Sequence, residues 1–223
     1  MNHTVWRKTR VSLAITIGIA LVPLVYPQGA TADTVTITLI SGNGSVGSQD
    51  PGTRFSVDGG ATYQDAWIIS PVFNYDTITG TQWVSVDPSG YGPTYTTMLY
   101  QTTFVLPPGA SGPSFTTQLF ADDQASVYLN GTFLGQQSNI PTPGHPYPDF
   151  TFPTSVFSTS DPSLFLTGTN VIGIVNYNGN NPTGLDYDAL VSYQLVPEPS
   201  TGILLALGVG ALVTSRRLNR RSS

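Results

Sequence analysis

The chain has 223 residues, of which 39% are hydrophobic and only 9% are charged, and it contains no cysteine. The absence of cysteine excludes disulfide bonds, thiolate metal sites and a cysteine nucleophile. Residues 33–195 carry twelve aspartates and a single base, Arg54, which gives a formal net charge of −11. Such an acidic surface repels nucleic acid phosphates and anionic lipid headgroups, so no nucleic acid partner is expected.

The first 32 residues have the pattern of a secretory signal peptide. A basic stretch precedes an apolar run over residues 11–25, and Ala30-Thr31-Ala32 forms an A-x-A cleavage site. We expect cleavage after Ala32, so that the exported domain begins at Asp33. The alternative is an uncleaved N-terminal anchor.

Residues 33–195 predict β-structure throughout, because short alternating runs are separated by Gly, Pro, Asn and Asp. In chain order the runs are DTVTITLI, TRFSVDG, YQDAWIIS, TQWVSVD, TYTTMLYQTTFVL, SFTTQLF, QASVYLNGTFLGQ, NVIGIVNYNG and LDYDALVSYQL. Asn130-Gly131 is a hairpin signal, since a type I′ turn needs positive φ at both central residues. About nine strands without a helical crossover predict an all-β fold, an antiparallel β-sandwich of the jelly-roll type.

Residues 138–153 contain five prolines in sixteen residues, which predicts a long surface loop. This loop holds His145, the one histidine of residues 33–195, and no G-x-S-x-G motif accompanies it. We therefore expect no catalytic residues and no enzymatic activity. A glycosidase with two catalytic carboxylates is the third functional prediction, after the glycan-binding protein and the structural protein described below, because twelve aspartates allow many pairs.

The C-terminal tail has three parts. It begins with Val196, Pro197, Glu198 and Pro199. An apolar run over residues 202–214 follows, and as a helix it spans roughly 20 Å, short for a bilayer core of about 30 Å. A basic cluster then predicts a cytoplasmic anchor for this short transmembrane helix: Arg216, Arg217, Arg220 and Arg221.

This tail resembles the PEP-CTERM sorting signal of exported proteins in Gram-negative environmental bacteria. The resemblance covers about 28 residues, with all three parts in the family's order. It implies recognition by exosortase, a membrane-embedded protease-transpeptidase, in a context of exopolysaccharide and biofilm production. It also implies transient insertion in the inner membrane during processing, and then a location at the cell surface or outside the cell, either tethered or released.

The domain resembles galactose-binding-like jelly rolls, which include carbohydrate-binding modules. The residues that carry this resemblance are ADDQASVYLNGTFLG and LTGTNVIGIVNYNGNNPTGL, within residues 81–195. The resemblance implies the jelly-roll fold and, because such domains often hold structural calcium, a calcium cofactor. Carboxylate oxygens suit that ion, and the candidate ligands are Asp122, Asp123, Asp186 and Asp188. Turn chemistry and solvated strand faces are the alternative roles of these aspartates.

Glycan binding needs aromatic rings for stacking and amides for hydroxyl groups. Tyr91 and Tyr95 flank a Gly-Pro turn, and Asn178 and Asn180 lie in an Asn/Gly-rich segment. These four residues are the predicted glycan contacts, although aromatic residues on alternating strands more often belong to a core. The leading functional prediction is a non-catalytic matrix or cell-surface protein that binds exopolysaccharide or a cell-surface glycan. The alternative is a structural or adhesive protein without a small-ligand site.

Overall fold

The computed structural model describes residues 32–72, 74–137, 149–152 and 154–195. Outside the described residues lie residues 1–31 of the predicted signal peptide, His145, the sorting motif, and the predicted C-terminal helix with its arginine cluster. Within the described ranges, no helix is long and apolar enough to cross a membrane.

The described residues form eleven strands and one short 3-10 helix. The strands are β1 (Asp33–Ile40), β2 (Gln49–Ser56), β3 (Gln64–Ile68), β4 (Val84–Ser85), β5 (Thr96–Leu106), β6 (Ala110–Asp122), β7 (Gln124–Leu129), β8 (Thr132–Gln136), β9 (Ser155–Thr159), β10 (Gly168–Asn178) and β11 (Gly184–Leu195). The 3-10 helix, Pro162–Leu164, begins after Asp161, whose side chain accepts a hydrogen bond from Ser163 N.

All the strands are antiparallel and are hydrogen-bonded in the order β8-β7-β10-β5-β2-β3-β4-β11-β6-β9, with β1 also paired to β11. The two halves of this continuous sheet pack face to face as a β-sandwich, which confirms the predicted fold class. One layer is centred on β10 and β5, and the other is centred on β11 and β6. Each layer is therefore built around one long antiparallel pair of strands.

The main core lies between these layers and follows the strand alternation that the sequence predicts. Met98, Tyr100 and Phe104 of β5 are buried, as are Tyr187 and Val191 of β11. Val35, Ile37 and Leu39 of β1 pack against the edge of this core. Period-two alternation thus assigns the inward face correctly for the three strands with the clearest patterns.

A second apolar cluster lies outside the main core, where the segment between β3 and β4 covers β6. Its buried members are Ile69, Ile78, Trp83 and Phe120, with Tyr75 and Phe150 packed against them. Trp83 and Phe120 stack with ring centroids 6.3 Å apart. Trp83 therefore belongs to an interior and is not available as a sugar platform.

The predicted hairpin at Asn130-Gly131 is confirmed, since φ is 49° at Asn130 and 82° at Gly131. Two strands depart from the predictions. β9 was not predicted, because its five residues follow the Pro-rich segment and carry a single short alternation. β4 keeps only two residues of the TQWVSVD run, because Trp83 faces the second cluster instead of the ladder.

Candidate functional site

A row of residues crosses five strands on the outer face of the β10 layer. In the β-ladder Gly173 pairs with Tyr128 on one side and with Gln101 on the other. Tyr128 continues to Phe133, and Gln101 continues to Arg54. With roughly 4.8 Å per strand step, the row is about 19 Å long from β8 to β2.

Gly173 forms the floor of a groove along this row, which we call the Gly173 groove. Its volume is about 240 Å³. Because Gly173 has no side chain, the groove is lowest between Tyr128 and Gln101. The lining is made of Tyr63, Leu99, Tyr100, Gln101, Tyr128, Gly131, Val171, Gly173, Ile174 and Val175.

Aromatic side chains form a wall at each end of the groove. At one end Tyr128 and Phe133 pack edge to face, with ring centroids 5.5 Å apart, and Phe133 is 54% exposed. At the other end the Arg54 guanidinium lies 5.9 Å from the Tyr63 ring centroid, and its Nη2 donates to Tyr63 O at 2.6 Å. These contacts hold both walls in place before any ligand arrives.

The residues that line the groove carry no charge. Its lining is aliphatic or aromatic apart from the Gln101 amide and the hydroxyls of Tyr63, Tyr100 and Tyr128, of which the Tyr100 hydroxyl is buried. Arg54, at the rim, lies near Asp65 with Nε 3.8 Å from Oδ1, so a carboxylate already accompanies the base. Apolar walls with a few polar groups are the usual make-up of small-molecule sites in proteins.

The predicted glycan contacts lie elsewhere, at the end of the sandwich where β5 and β11 begin. Here residues 90–95 pack on residues 178–183: Thr183 N donates to Gly90 O at 2.9 Å, and Gly92 N donates to Asn181 Oδ1 at 3.0 Å. We call these two segments the distal loops. Tyr91 and Tyr95 are 54% and 80% exposed, and Asn180 is exposed as well.

Asn178 corrects the predicted set, because it is fully buried and cannot contact a glycan in this structure. It is the last residue of β10, on the inward face, and its Nδ2 donates to Pro93 O at 2.9 Å. Asn178 falls within the predicted strand run NVIGIVNYNG, and β10 ends at this residue. The structure thus brings Tyr91, Tyr95 and Asn180 to one end of the domain and assigns Asn178 a structural role.

Three of the aspartates are neighbours beside the second apolar cluster. Asp122 and Asp149 are both nearly fully buried, and Asp149 Oδ1 has no hydrogen-bond partner among the residues that the structure describes. Tyr75 Oη donates to Asp122 Oδ2. Asp123, between β6 and β7, accepts bonds from Gly179 N at 2.6 Å and Asn180 N at 3.3 Å. Asp122 is the last residue of β6.

Burial raises the pKa of Asp122 to about 7, and the neighbouring charges of Asp123 and Asp149 add to the effect. Burial likewise raises the pKa of Asp149 to about 6, with a further contribution from Asp123. The pKa of the Tyr75 hydroxyl is also raised, first by burial and then by Asp122. The three acids together form an electrostatically unfavourable group when all are ionised.

These raised pKa values predict a pH-dependent stability. Aspartates in the unfolded chain have a pKa near 3.9. The stability that protonated Asp122 and Asp149 contribute is therefore fully present below about pH 4, and it is lost as pH rises through their folded-state pKa values of about 7 and about 6. We expect the free energy of unfolding, measured by urea denaturation, to fall by on the order of 2 kcal/mol between pH 5 and 8. Asp149→Asn should flatten this profile. A profile that stays equally steep in Asp149→Asn would contradict the assignment.

The other two predicted metal ligands lie on β11. Asp186 is fully buried; its Oδ1 accepts from Ser41 Oγ at 3.0 Å and its Oδ2 accepts from Ile78 N at 3.0 Å. Burial raises the pKa of Asp186, which these hydrogen bonds partly offset. Asp188 is half-buried. Among the described residues, no three His, Cys, Asp or Glu side chains are grouped as a metal site, and calcium binding stays a prediction.

Two family models match the chain. Residues 63–181 match the second all-β domain of β-galactosidase, which covers more than half of the chain. Residues 195–221 match the PEP-CTERM protein-sorting motif. No curated protein matches the chain.

Solved structures resemble the chain only distantly. An FMN-binding β-glucuronidase from Facaelibacterium prausnitzii L2-6 is 18% identical, with 72% of this chain and 23% of that chain covered and a TM-score of 0.39. A β-D-glucuronidase from Dictyoglomus thermophilum is 13% identical, with 75% and 29% covered and a TM-score of 0.39. A family 35 carbohydrate-binding module from Clostridium thermocellum is 12% identical, with 69% and 97% covered and a TM-score of 0.40. The chain spans less than a third of either glucuronidase chain.

Proposed function

Since the chain belongs to the family of the second all-β domain of β-galactosidase and carries a PEP-CTERM sorting motif, we propose that it is a non-catalytic exported protein that binds uncharged glycan through the Gly173 groove. The sorting motif marks it as an exported protein that exosortase processes. In this proposal the processed domain acts at the cell surface or in the exopolysaccharide matrix.

The groove itself carries the proposal for glycan binding. A sugar ring has apolar C–H faces and a rim of hydroxyl groups. Tyr128 and Tyr63 supply aromatic surface for those faces, and the Gln101 amide both donates to and accepts from hydroxyls. Gly173 leaves the backbone uncovered, so a ring can approach the sheet closely.

Electrostatics favour an uncharged ligand. The domain's formal net charge of −11 opposes the approach of a polyanion, as it does for nucleic acid. Arg54, the one base of residues 33–195, is already accompanied by Asp65 at the groove rim. A neutral polysaccharide loses nothing to this field, whereas a polyuronate is repelled by it.

Affinity electrophoresis tests the proposal. The exported protein is run through native gels that contain a neutral β-glucan, galactan or mannan, with polygalacturonate as the charged comparison. We expect retardation by at least one neutral polymer, and Tyr128→Ala to weaken it roughly 10- to 30-fold, as is usual for a buried aromatic contact. Gly173→Val should abolish retardation, because its side chain fills the floor.

The controls separate binding from folding and one site from the other. A Cβ at Gly173 would meet Tyr128 Cβ at 3.7 Å, an ordinary contact, so Gly173→Val is expected to fold. Tyr95→Ala, in the distal loops, should leave retardation unchanged. Loss of retardation in Tyr95→Ala but not in Gly173→Val would move the site to the distal loops. No retardation by any polymer would favour a structural matrix protein without a glycan site.

A further inference from the structure

The first and last strands of the domain meet at one end of the sandwich. Asp33, the first residue of β1, pairs with Leu195, the last residue of β11, and Leu195 also pairs with Ala110 at the start of β6. We call this end of the sandwich the proximal end. The distal loops lie at the other end of β11, which begins at Gly184. The length of β11 separates the two ends by about 36 Å, at roughly 3.3 Å per residue.

The sorting motif follows the folded domain without a linker. The match to the motif spans residues 195–221, so its first residue, Leu195, is still paired in the β-ladder. Residues 196–199 lead from there to the expected cleavage near Pro199, and they can bridge no more than about 14 Å, at roughly 3.5 Å per residue. One layer of the sandwich is already about 19 Å wide from β8 to β2. Because a domain of this width cannot enter a protease cleft, its proximal end must lie against the protease that cuts the tail.

The proximal end displays exposed apolar side chains. Val105, near the end of β5, is 59% exposed, and Leu166, shortly before β10, is 53% exposed. Leu106 pairs with Gly168, which brings these two segments together. Pro108 is also exposed, in the turn that connects β5 to the start of β6. Exposed apolar side chains grouped at one end of a domain are typical of a surface that contacts another protein.

The backbone that carries Leu166 is held rigidly. Asn170 is fully buried; its Oδ1 accepts from Leu166 N at 2.8 Å, and its Nδ2 donates to Leu166 O at 2.7 Å. Asn130 Nδ2 donates to Asn170 Oδ1 at 2.8 Å and to Leu164 O at 2.9 Å. Leu166 is therefore presented in a fixed position, which lowers the entropy that a partner must remove on binding.

We propose that the proximal end is a docking surface for exosortase, which contacts Val105, Pro108 and Leu166 while it cuts the tail. This inference rests on the proposed processing by exosortase and adds a contact between the enzyme and the folded domain. A protein occupant is favoured over a lipid surface, because the domain's formal net charge of −11 opposes approach to anionic headgroups. Exosortase then recognises its substrate by the motif and by the folded end beside it.

Photo-crosslinking in the full-length chain tests the contact. Leu166→p-benzoylphenylalanine is introduced in a host that carries an inactive exosortase, so that the substrate stays uncut. We expect irradiation to give an adduct between the chain and exosortase. Val156→p-benzoylphenylalanine is the matched control, because Val156 is 60% exposed but lies in the row of Gln118 and Asp188, nearer the distal loops. Equal adducts from both positions, or an adduct with lipid alone, would overturn the inference.

The rate of processing supplies an independent measurement. The double variant Val105→Asp/Leu166→Asp should slow the loss of the tail roughly tenfold in a pulse-chase experiment read by intact mass, because an interface that buries these charges is destabilised. Val156→Asp should be processed at the unaltered rate. Urea denaturation of both variants checks that they fold, which their exposure predicts.

The outcomes separate failure of the docking surface from failure of exosortase processing. If the folded double variant is cut as fast as the unaltered chain, the docking surface is refuted while processing stands. A ten-residue Gly/Ser insertion after Leu195 removes the forced contact, so it should bring the rates of the unaltered and double-variant chains together. Faster cutting of the unaltered chain after this insertion would show that the proximal end obstructs the enzyme. If exosortase never cuts the unaltered chain, the inference and the proposed processing both fail.

Discussion

Replacing Trp83 with alanine is expected to lower the free energy of unfolding by about 3–5 kcal/mol, the range for removing a large aromatic side chain from a core. Trp83 is fully buried, stacks on Phe120 and lies 4.2 Å from the Tyr75 ring. Its Nε1 donates to Asp76 O at 2.9 Å, so the substitution also removes a hydrogen bond. Urea denaturation followed by far-UV circular dichroism measures the change.

Trp67→Ala is the matched control. Trp67 is half-buried on β3 and only borders the main core, so its loss should cost clearly less than that of Trp83. Equal losses for the two tryptophans would contradict the second apolar cluster as a stabilising unit. A larger loss for Trp67 would mean that the segment between β3 and β4 contributes little to stability.

Substitution of Pro197-Glu198-Pro199 by three alanines is expected to block processing of the tail completely. Residues 195–221 match the PEP-CTERM protein-sorting motif. Proline favours an extended backbone for itself and for the residue before it, and an extended backbone is the form that a protease cleft accepts. Intact mass spectrometry of exported protein, from hosts with and without exosortase, measures the result. The unaltered chain should begin at Asp33 and end near Pro199 only where exosortase is present.

Two comparisons make this result interpretable. The alanine variant should retain residues up to Ser223 in both hosts, as the unaltered chain should in the host that lacks exosortase. Tyr95→Ala, a change in the folded domain, should be processed normally. An unaltered chain that keeps Ser223 in both hosts would show the tail to be an ordinary membrane anchor.

Local patterns in the sequence predicted most of the fold. Alternation over β1, β5 and β11 identifies both the strands and their inward faces, because period two is a property of the strand itself. Asn130-Gly131 likewise predicts its own turn. β9 was missed because five residues beside a Pro-rich segment carry too little pattern.

The groove was not predicted, because it depends on pairing between residues distant in sequence. Tyr128, Gln101 and Gly173 become neighbours only through the registers of β7, β5 and β10. One local signal was present: a glycine inside the apolar run NVIGIVNYNG marks a close approach of backbone to something else. Asn178 lies within the predicted strand run NVIGIVNYNG, but its burial depends on packing between β10 and the segment that precedes β5, which local composition does not reveal.

The most direct test of groove binding is a nuclear magnetic resonance titration of isotope-labelled exported protein with a neutral oligosaccharide of the polymer that retards the protein. Binding in the groove predicts chemical-shift changes at the amides of Gln101, Tyr128 and Gly173, with the distal loops unaffected. Changes confined to Tyr91, Tyr95 and Asn180, with Gly173 unmoved, would contradict the account and assign the glycan to the distal loops.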